Sequence, residues 1–324
     1  MARVAAIDCG TNSVRLLVAD VPPDGSALVE VLRRMEIVRL GKDVDRTGRL
    51  DPAAIERTRV VLAQYAVAIS ELGAGRVRMV ATSATRDASN ADEFRKMVLS
   101  TLGVAPEVVT GDEEARLSFT GAVQGLPAGA EPPYLVVDIG GGSTEFVLGG
   151  STMDGATTVA HAVSVDIGCV RMTERHLLGD PPTAAQIAGA ERDIGAAVDR
   201  ALTVVAARRA HTLVGLAGSV TTVAALALRL TAYDRDRIHH ARIRYGDVSR
   251  VTAELLSLTH EQRLALPPMH PGRADVIGAG ALVLRIIMEK VGAQAVIASE
   301  HDILDGIAAG LRGADSGRAT GTLG

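Results

Sequence analysis

Two short stretches of this 324-residue chain hold the residues best suited to chemistry: Asp8-Cys9-Gly10-Thr11-Asn12-Ser13 and, 130 positions later, Asp138-Ile139-Gly140-Gly141-Gly142-Ser143. Both read Asp-x-Gly-x-x-Ser. A tight turn with Gly and Ser or Thr at its tip exposes backbone N–H groups and hydroxyls that can surround a phosphate. The candidates are Thr11, Asn12 and Ser13 in the first copy, and Gly140, Gly141, Gly142, Ser143 and Thr144 in the second. One Gly-rich turn reads equally well as a plain hairpin; repetition with an Asp opening each turn points to a shared use. Past the turns the copies diverge, with Arg15 in the first where Glu145 stands in the second. The guanidinium can bind an anion, the carboxylate a metal or water. Asp8, Asp138 and Glu145 are hard oxygen ligands at strand ends, suited to Mg²⁺ that keeps several of its waters.

Other segments add groups of the same chemical kind. The stretch ATSATRDASN places Arg86 in a loop after a strand, where a planar guanidinium can engage phosphate oxygens in a bidentate manner. In GDEEARL a helix begins with Asp112, Glu113 and Glu114. The macrodipole accounts for acids in a first turn, but the third can instead be a general base polarising a water that attacks phosphorus. Of the basic residues that could guide an anionic chain (Arg33, Arg34, Arg39, Lys42, Arg46, Arg273), only Arg273, after His-Pro-Gly and before a helix, stands out from ordinary solvated charge. Cys9 adjoins Asp8, yet strand alternation turns it to the opposite face and into the core, which argues against a nucleophile. The eight His residues show no HExxH spacing, and His239-His240 has no partnering Cys or paired acids, so zinc is not expected.

The elements that must position these groups can be read from the apolar pattern. Residues 4–7 and 16–20 form a strand hairpin around the first turn, 28–40 supply a third strand, and Pro52 opens an amphipathic helix over 52–72. A strand precedes Ala81, a helix covers 90–101, a short strand 107–110, and a helix begins at the DEEARL acids. The Pro, Gly and Ala density of residues 127–133 marks a linker, so domains are expected over 1–126 and 127–324, with the terminal helix free to pack back on the first. The hairpin pattern then recurs at 134–148. A strand follows over 157–167, helices over 169–178 and 183–208, a strand at HTLVGLAG, a helix from Ser219, one long helix in ADVIGAGALVLRIIMEKVG, a strand over 295–298 and a terminal helix after Asp302. The small, polar tail after Arg312 is expected to be disordered.

Composition narrows the partners. Net charge is −4 and pI about 6.1, so no global field attracts polyanions and an anionic ligand needs a local cluster. With 2% aromatic residues and no Trp there are few rings on which bases could stack, which argues against nucleic acid. Two cysteines without CxxC spacing fit a reduced compartment. Asp8 interrupts the first apolar run too early for a signal peptide, and no later run reaches about 20 residues, so the expected location is the cytoplasm and no membrane partner is expected.

The blocks DxGTNSxRLLV, ATSATRDA, GDEEARL, DIGGGSTE, SxDIGCVRMTE, GLAGSVTT and RADVIGAGALVL occur in order along nearly the whole chain, and together they resemble the Ppx/GppA phosphatase family. The resemblance implies an α/β fold of two ribonuclease-H-like, actin-like domains with a cleft between them, Mg²⁺ dependence, and hydrolytic removal of terminal phosphate from inorganic polyphosphate or from guanosine pentaphosphate. It implies that Glu114 is the catalytic base, that Arg86 binds phosphate, and that Asp138 and Glu145 manage metal and water. Gly218 and Ser219 match a further phosphate-side turn, with Ser219 keeping a hydroxyl where Thr is common. Family resemblance also implies a homodimer and leaves a monovalent cation open. Longer members append a helical domain that helps bind long polyphosphate; this chain stops near the end of the two core domains, so short chains are the expected substrate. Two readings of other classes remain: a kinase or ATP-driven switch of the same fold, which needs an adenosine pocket that no motif marks, and a non-catalytic sensor of polyphosphate or alarmone, against which the retained acids argue.

Overall fold

A computed structural model describes residues 1–23, 26–151 and 157–312; the tail beyond Arg312, expected to be disordered, lies outside them. The chain divides into two compact units, residues 1–125 joined by the segment from Ile303 on, and residues 126–302.

The first unit runs β1 (Ala2–Cys9), β2 (Ser13–Val21), β3 (Val29–Ile37), α1 (Val44–Thr47), α2 (Pro52–Glu71), β4 (Arg76–Ala81), α3 (Ser83–Asp87), α4 (Ala91–Leu102), β5 (Glu107–Val108) and α5 (Gly111–Ala122). Its sheet has the order β3-β2-β1-β4-β5, antiparallel across the first three strands and parallel from β1 to β5. Strand alternation sends Ala5, Ile7, Val14, Leu16 and Val18 into one core with Leu62, Tyr65 and Ile69 of α2 and Phe94 and Val98 of α4. Val4, Ala6, Leu17, Ala19 and Val21 go to the other face. Helix α2 starts where Pro52 follows Asp51, whose carboxylate accepts the Ala53 N–H at 2.7 Å. The segment ATSATRD, expected as loop, holds the short helix α3 instead, and another short helix, α1, lies within GKDVDRTGRLD between β3 and α2.

The second unit runs β6 (Tyr134–Ile139), β7 (Thr144–Ser151), β8 (Thr157–Val165), α6 (Cys169–His176), α7 (Ala184–Val204), β9 (Thr212–Leu216), α8 (Ala217–Ala227), α9 (Arg235–Ile238), β10 (Arg242–Arg244), α10 (Tyr245–Ser257), α11 (His260–Leu264), α12 (Ile277–Val291) and β11 (Ala295–Ala298). The sheet order, β10-β11-β9-β6-β7-β8, repeats the first sheet and adds β10 antiparallel at the far edge. Central β6 is buried at all six positions, as a strand covered on both faces must be. Helix α8 begins at Ala217, two residues before the expected Ser219, and α12 at Ile277, three after Ala274. The chain then enters α13 (Ile303–Gly310), which packs on α5, β1 and β2 of the first unit. There Ile303, Leu304, Ile307 and Ala308 cover Val4, Ala6, Leu17, Ala19 and Val21. No helix among the described residues is long and apolar enough to cross a membrane.

Candidate active site

Each hairpin fixes its charged pair through register. In the first, the Gly10 N–H donates to the Ser13 carbonyl at 3.0 Å and closes the turn, which sets Asp8 directly opposite Arg15. In the second, the Gly140 N–H donates to the Ser143 carbonyl, also at 3.0 Å, and sets Asp138 opposite Glu145. Directly opposed residues of an antiparallel pair put their side chains on one face, in contact. Arg15 donates from Nε (2.9 Å) and Nη2 (2.6 Å) to Oδ2 of Asp8, whose side chain is 4% exposed. The Arg15 predicted as a phosphate ligand is thus engaged with a buried carboxylate of its own hairpin. Asp138 and Glu145 are both buried, and Glu145 Oε1 accepts from the hydroxyl of Ser164, opposite it on β8, at 2.7 Å.

The tips are held from behind. Helix α6 takes up the carbonyls of the second turn: Cys169 N donates to Gly140, Val170 N and Arg171 N to Gly141, and Arg171 Nε to Gly142 at 2.7 Å. With those carbonyls turned toward α6, the N–H groups of Gly141, Gly142 and Ser143 have no backbone partner among the described residues. Consecutive N–H groups in this state form an anion-binding concavity. Thr144 is the exception among the predicted residues of this turn. It is fully buried and its hydroxyl donates to the Ile167 carbonyl, so it fastens the hairpin to the α6 approach instead of reaching the tip. In the first turn the Thr11 carbonyl accepts from Gly41 N, and the Asn12 carbonyl from Val38 N and Arg39 N. The buried Thr11 hydroxyl meets that of Ser83 at 2.9 Å, which ties the turn to α3; Ser13 begins β2 opposite Ile37.

Arg86 and Glu114 come together although 28 residues separate them. Arg86 lies in the last turn of α3 and Glu114 sits in the first turn of α5, whose N-cap Thr110 accepts the Glu113 N–H. Nη1 of Arg86 lies 3.2 Å from Glu114 Oε2 and donates to the Val109 carbonyl at 3.0 Å, with side-chain exposures of 27% and 11%. The guanidinium therefore holds the carboxylate and keeps a partly exposed face of its own. Asp112 and Glu113 are exposed and paired with Arg116 and Arg78, the surface role expected of acids in a first turn.

A third set gathers after β9, whose Leu216 lies beside Asp138 in the parallel register. Arg273 donates from Nη1 to the Gly218 carbonyl (3.4 Å) and the Thr222 hydroxyl (3.2 Å). A Cβ on Gly218 would stand 2.3 Å from Arg273 Cζ, so only glycine lets the guanidinium lie against this backbone. Ala217 just before it has φ +67°, a left-handed conformation costing an alanine about 1 kcal/mol. Such strain concentrates at functional sites. Ser219 is buried in the first turn of α8, and its side chain and that of Cys169 both lie against Gly280. Burial pushes the Cys169 thiol up to about 11 and the Cys9 thiol well above its ordinary value, with Asp8 adding to the latter. Neither cysteine is a thiolate at neutral pH.

Sequence reasoning did not name Ser164, Thr222, Ser83 or Arg171. The first two lie across strand and helix register from residues that were named, and Arg171 is the arginine of the DIGCVRMTE block.

For a divalent cation the donor set fits: Asp138 and Glu145 are two hard carboxylates directly opposed and screened from water, an arrangement of like charges that favours a shared cation. Among the described residues no three or more His, Cys, Asp or Glu side chains gather into a cage. Mg²⁺, commonly bound by one or two carboxylates plus water, needs none.

Comparison with known proteins bears on the family and the fold. Residues 17–312 match the model of the Ppx/GppA phosphatase family. The chain is 50% identical to Exopolyphosphatase 2 of Mycobacterium tuberculosis (strain CDC 1551 / Oshkosh), across 97% of this chain and 99% of that one. Among solved structures, an exopolyphosphatase-like protein superposes with TM-score 0.90 and 43% identity over 94% of this chain and 97% of that one. The Aquifex aeolicus Ppx/GppA family member does so with TM-score 0.78 and 32% identity over 96% and 97%. With the duplicated hairpin sheets, the family blocks in their order and these matches along nearly the whole length, the chain belongs to the Ppx/GppA phosphatase family.

Proposed function

We propose that this protein is an exopolyphosphatase, a hydrolase that removes the terminal phosphate of inorganic polyphosphate with Mg²⁺ as cofactor. The observation that carries the reading is the second hairpin, where two opposed buried carboxylates stand beside a tip whose Gly141, Gly142 and Ser143 N–H groups have no backbone partner among the described residues. Groups of this kind suit a phosphoanhydride and the ion that accompanies it. The family and the name of the Mycobacterium tuberculosis relative support the same substrate.

In this mechanism Gly141, Gly142 and Ser143 bind phosphate oxygens through their N–H groups. Glu114, held by Arg86, accepts a proton from the attacking water as its oxygen bonds to the terminal phosphorus. The bridging P–O bond breaks, and the products are orthophosphate and a chain one phosphate shorter. Arg86 in the first unit and Arg273 in the second each bring a guanidinium able to balance charge on phosphate oxygens. Mg²⁺ at Asp138 and Glu145, when bound, neutralises charge on phosphate oxygens and orders water.

Phosphate release from short polyphosphate, long polyphosphate and guanosine pentaphosphate, with Mg²⁺ or EDTA, tests the proposal. Wild type is expected to release phosphate from short polyphosphate fastest and only with Mg²⁺, and Glu114→Gln to bind without turnover. Binding without release by wild type would overturn it in favour of a sensor, and preferential release from guanosine pentaphosphate would reassign the substrate.

A further inference from the structure

Helix α13 bears on α5 through a contact that leaves no tolerance. An ideal Cβ on Gly306 would lie 2.0 Å from the carbonyl oxygen of Leu117, 2.8 Å from its carbonyl carbon and 3.1 Å from its Cα. All three neighbours are backbone, so no side-chain rotation could relieve the collision; α5 and α13 would have to move apart. Glycine is a poor helix former, and here it occupies the middle of an eight-residue helix at the point of closest approach to α5. Both ends of the contact are anchored. Asp305, 7% exposed, meets Arg33 Nη2 of β3 at 2.7 Å, while Ile303, Leu304 and Ile307 are in the core formed with β1, β2 and β4. Leu117 packs against that same core and lies three residues after Glu114, less than one turn along α5.

From this we infer that Gly306 is a positioning residue for the reaction: by fixing the α5–α13 separation it fixes where the Glu114 carboxylate stands relative to Arg86. The inference rests on the general-base role assigned to Glu114. Arg86 is carried by α3, and the Val109 carbonyl that it also binds belongs to a residue whose own N–H is tied to Ala81 of β4 at 3.1 Å, so a displaced α5 changes the 3.2 Å separation of the pair instead of moving both together. A displacement near 1 Å in a reacting group can lower a rate about a hundredfold.

The test compares Gly306→Ala with Ile307→Val, which trims the same helix by one methylene without adding a backbone collision, and with Glu114→Gln. Gly306→Ala is expected to lower kcat by about 10- to 100-fold with KM within about twofold of wild type, and to move the acidic limb of the kcat–pH profile as the carboxylate leaves its guanidinium partner. Ile307→Val is expected to lower Tm while leaving kcat and that limb unchanged. Equal kcat losses in the two variants at matched loss of Tm, or full kcat in Gly306→Ala, would overturn the inference while leaving Glu114 as base. Turnover in Glu114→Gln would instead remove the base itself. Should Gly306→Ala not fold, Asp305→Asn frees the same helix from β3 and is read by the same kcat and pH criteria: a shifted acidic limb supports the inference, and wild-type kinetics overturn it.

Discussion

The two hairpins share strand order, turn closure and an Asp at the same place, yet they answer the problem of a buried carboxylate in opposite ways. Asp8 faces Arg15, and its charge is compensated inside the protein. Asp138 faces Glu145, a second charge of the same sign. A buried carboxylate beside a guanidinium gains a compensating charge from its own hairpin, whereas two opposed carboxylates repel and form a pair of hard oxygen donors suited to a cation. A single residue per hairpin thus separates a copy whose carboxylate is paired with an arginine from a copy whose carboxylate stands opposite another acid. What this teaches is that a duplicated motif need not carry duplicated electrostatics, because the residue opposite on the strand sets the charge each turn presents.

The sharpest way to break the comparison is to make the second hairpin resemble the first. Glu145→Arg should create an Asp138–Arg ion pair in a register already shown to accommodate one; the expected outcome is a folded protein whose Mg²⁺-dependent phosphate release falls by about 10³-fold or more. Wild-type release from a folded Glu145→Arg protein would mean that the second pair does not hold the ion. The reverse exchange, Arg15→Glu, leaves Asp8 opposite a like charge with no cation. Urea denaturation should show it destabilised by about 3 kcal/mol, and added Mg²⁺ recovering part of the loss would show that paired acids alone make the ion site. The smallest effect is expected from the thiols beside the two hairpins. Their protonation limits sit above neutral pH, Cys169 near 11, so lowering pH leaves them thiols and only strongly alkaline solution makes thiolates. Iodoacetamide at pH 8 should leave both native mass and phosphate release unchanged, and rapid inactivation would contradict their burial.

Much of this was legible in the residues. Alternation and turn chemistry placed both hairpins, and the Asp51-Pro52 start placed α2, because those signals are local. The pairing of Asp8 with Arg15 was also within reach: a turn closed by Gly10 and Ser13 makes opposed positions count outward symmetrically, which brings Asp8 to Arg15 and Asp138 to Glu145. The sequence reading assigned Arg15 to an anion because it considered residue type without that register. Helix α3 was missed because Ser-Ala-Thr-Arg-Asp has weak propensity and its place is set by tertiary contacts, among them the Thr11–Ser83 hydroxyl pair. The meeting of Arg86 with Glu114, and of Arg273 with Gly218, depends on how helices pack after the strands, and no local pattern encodes it. The early start of α8 follows from a left-handed Ala217 that propensity disfavours.

The packing of α13 on the first sheet has a consequence for how the protein is made. The apolar face of Val4, Ala6, Leu17, Ala19 and Val21 is covered by residues synthesised only after the entire second unit. On the ribosome the first unit therefore waits, with one face of its sheet open, until residue 310 has emerged. A nascent chain in that state presents the kind of surface that chaperones hold and that otherwise aggregates. Release short of Ile303 would leave a second unit able to close its own core and a first unit that cannot.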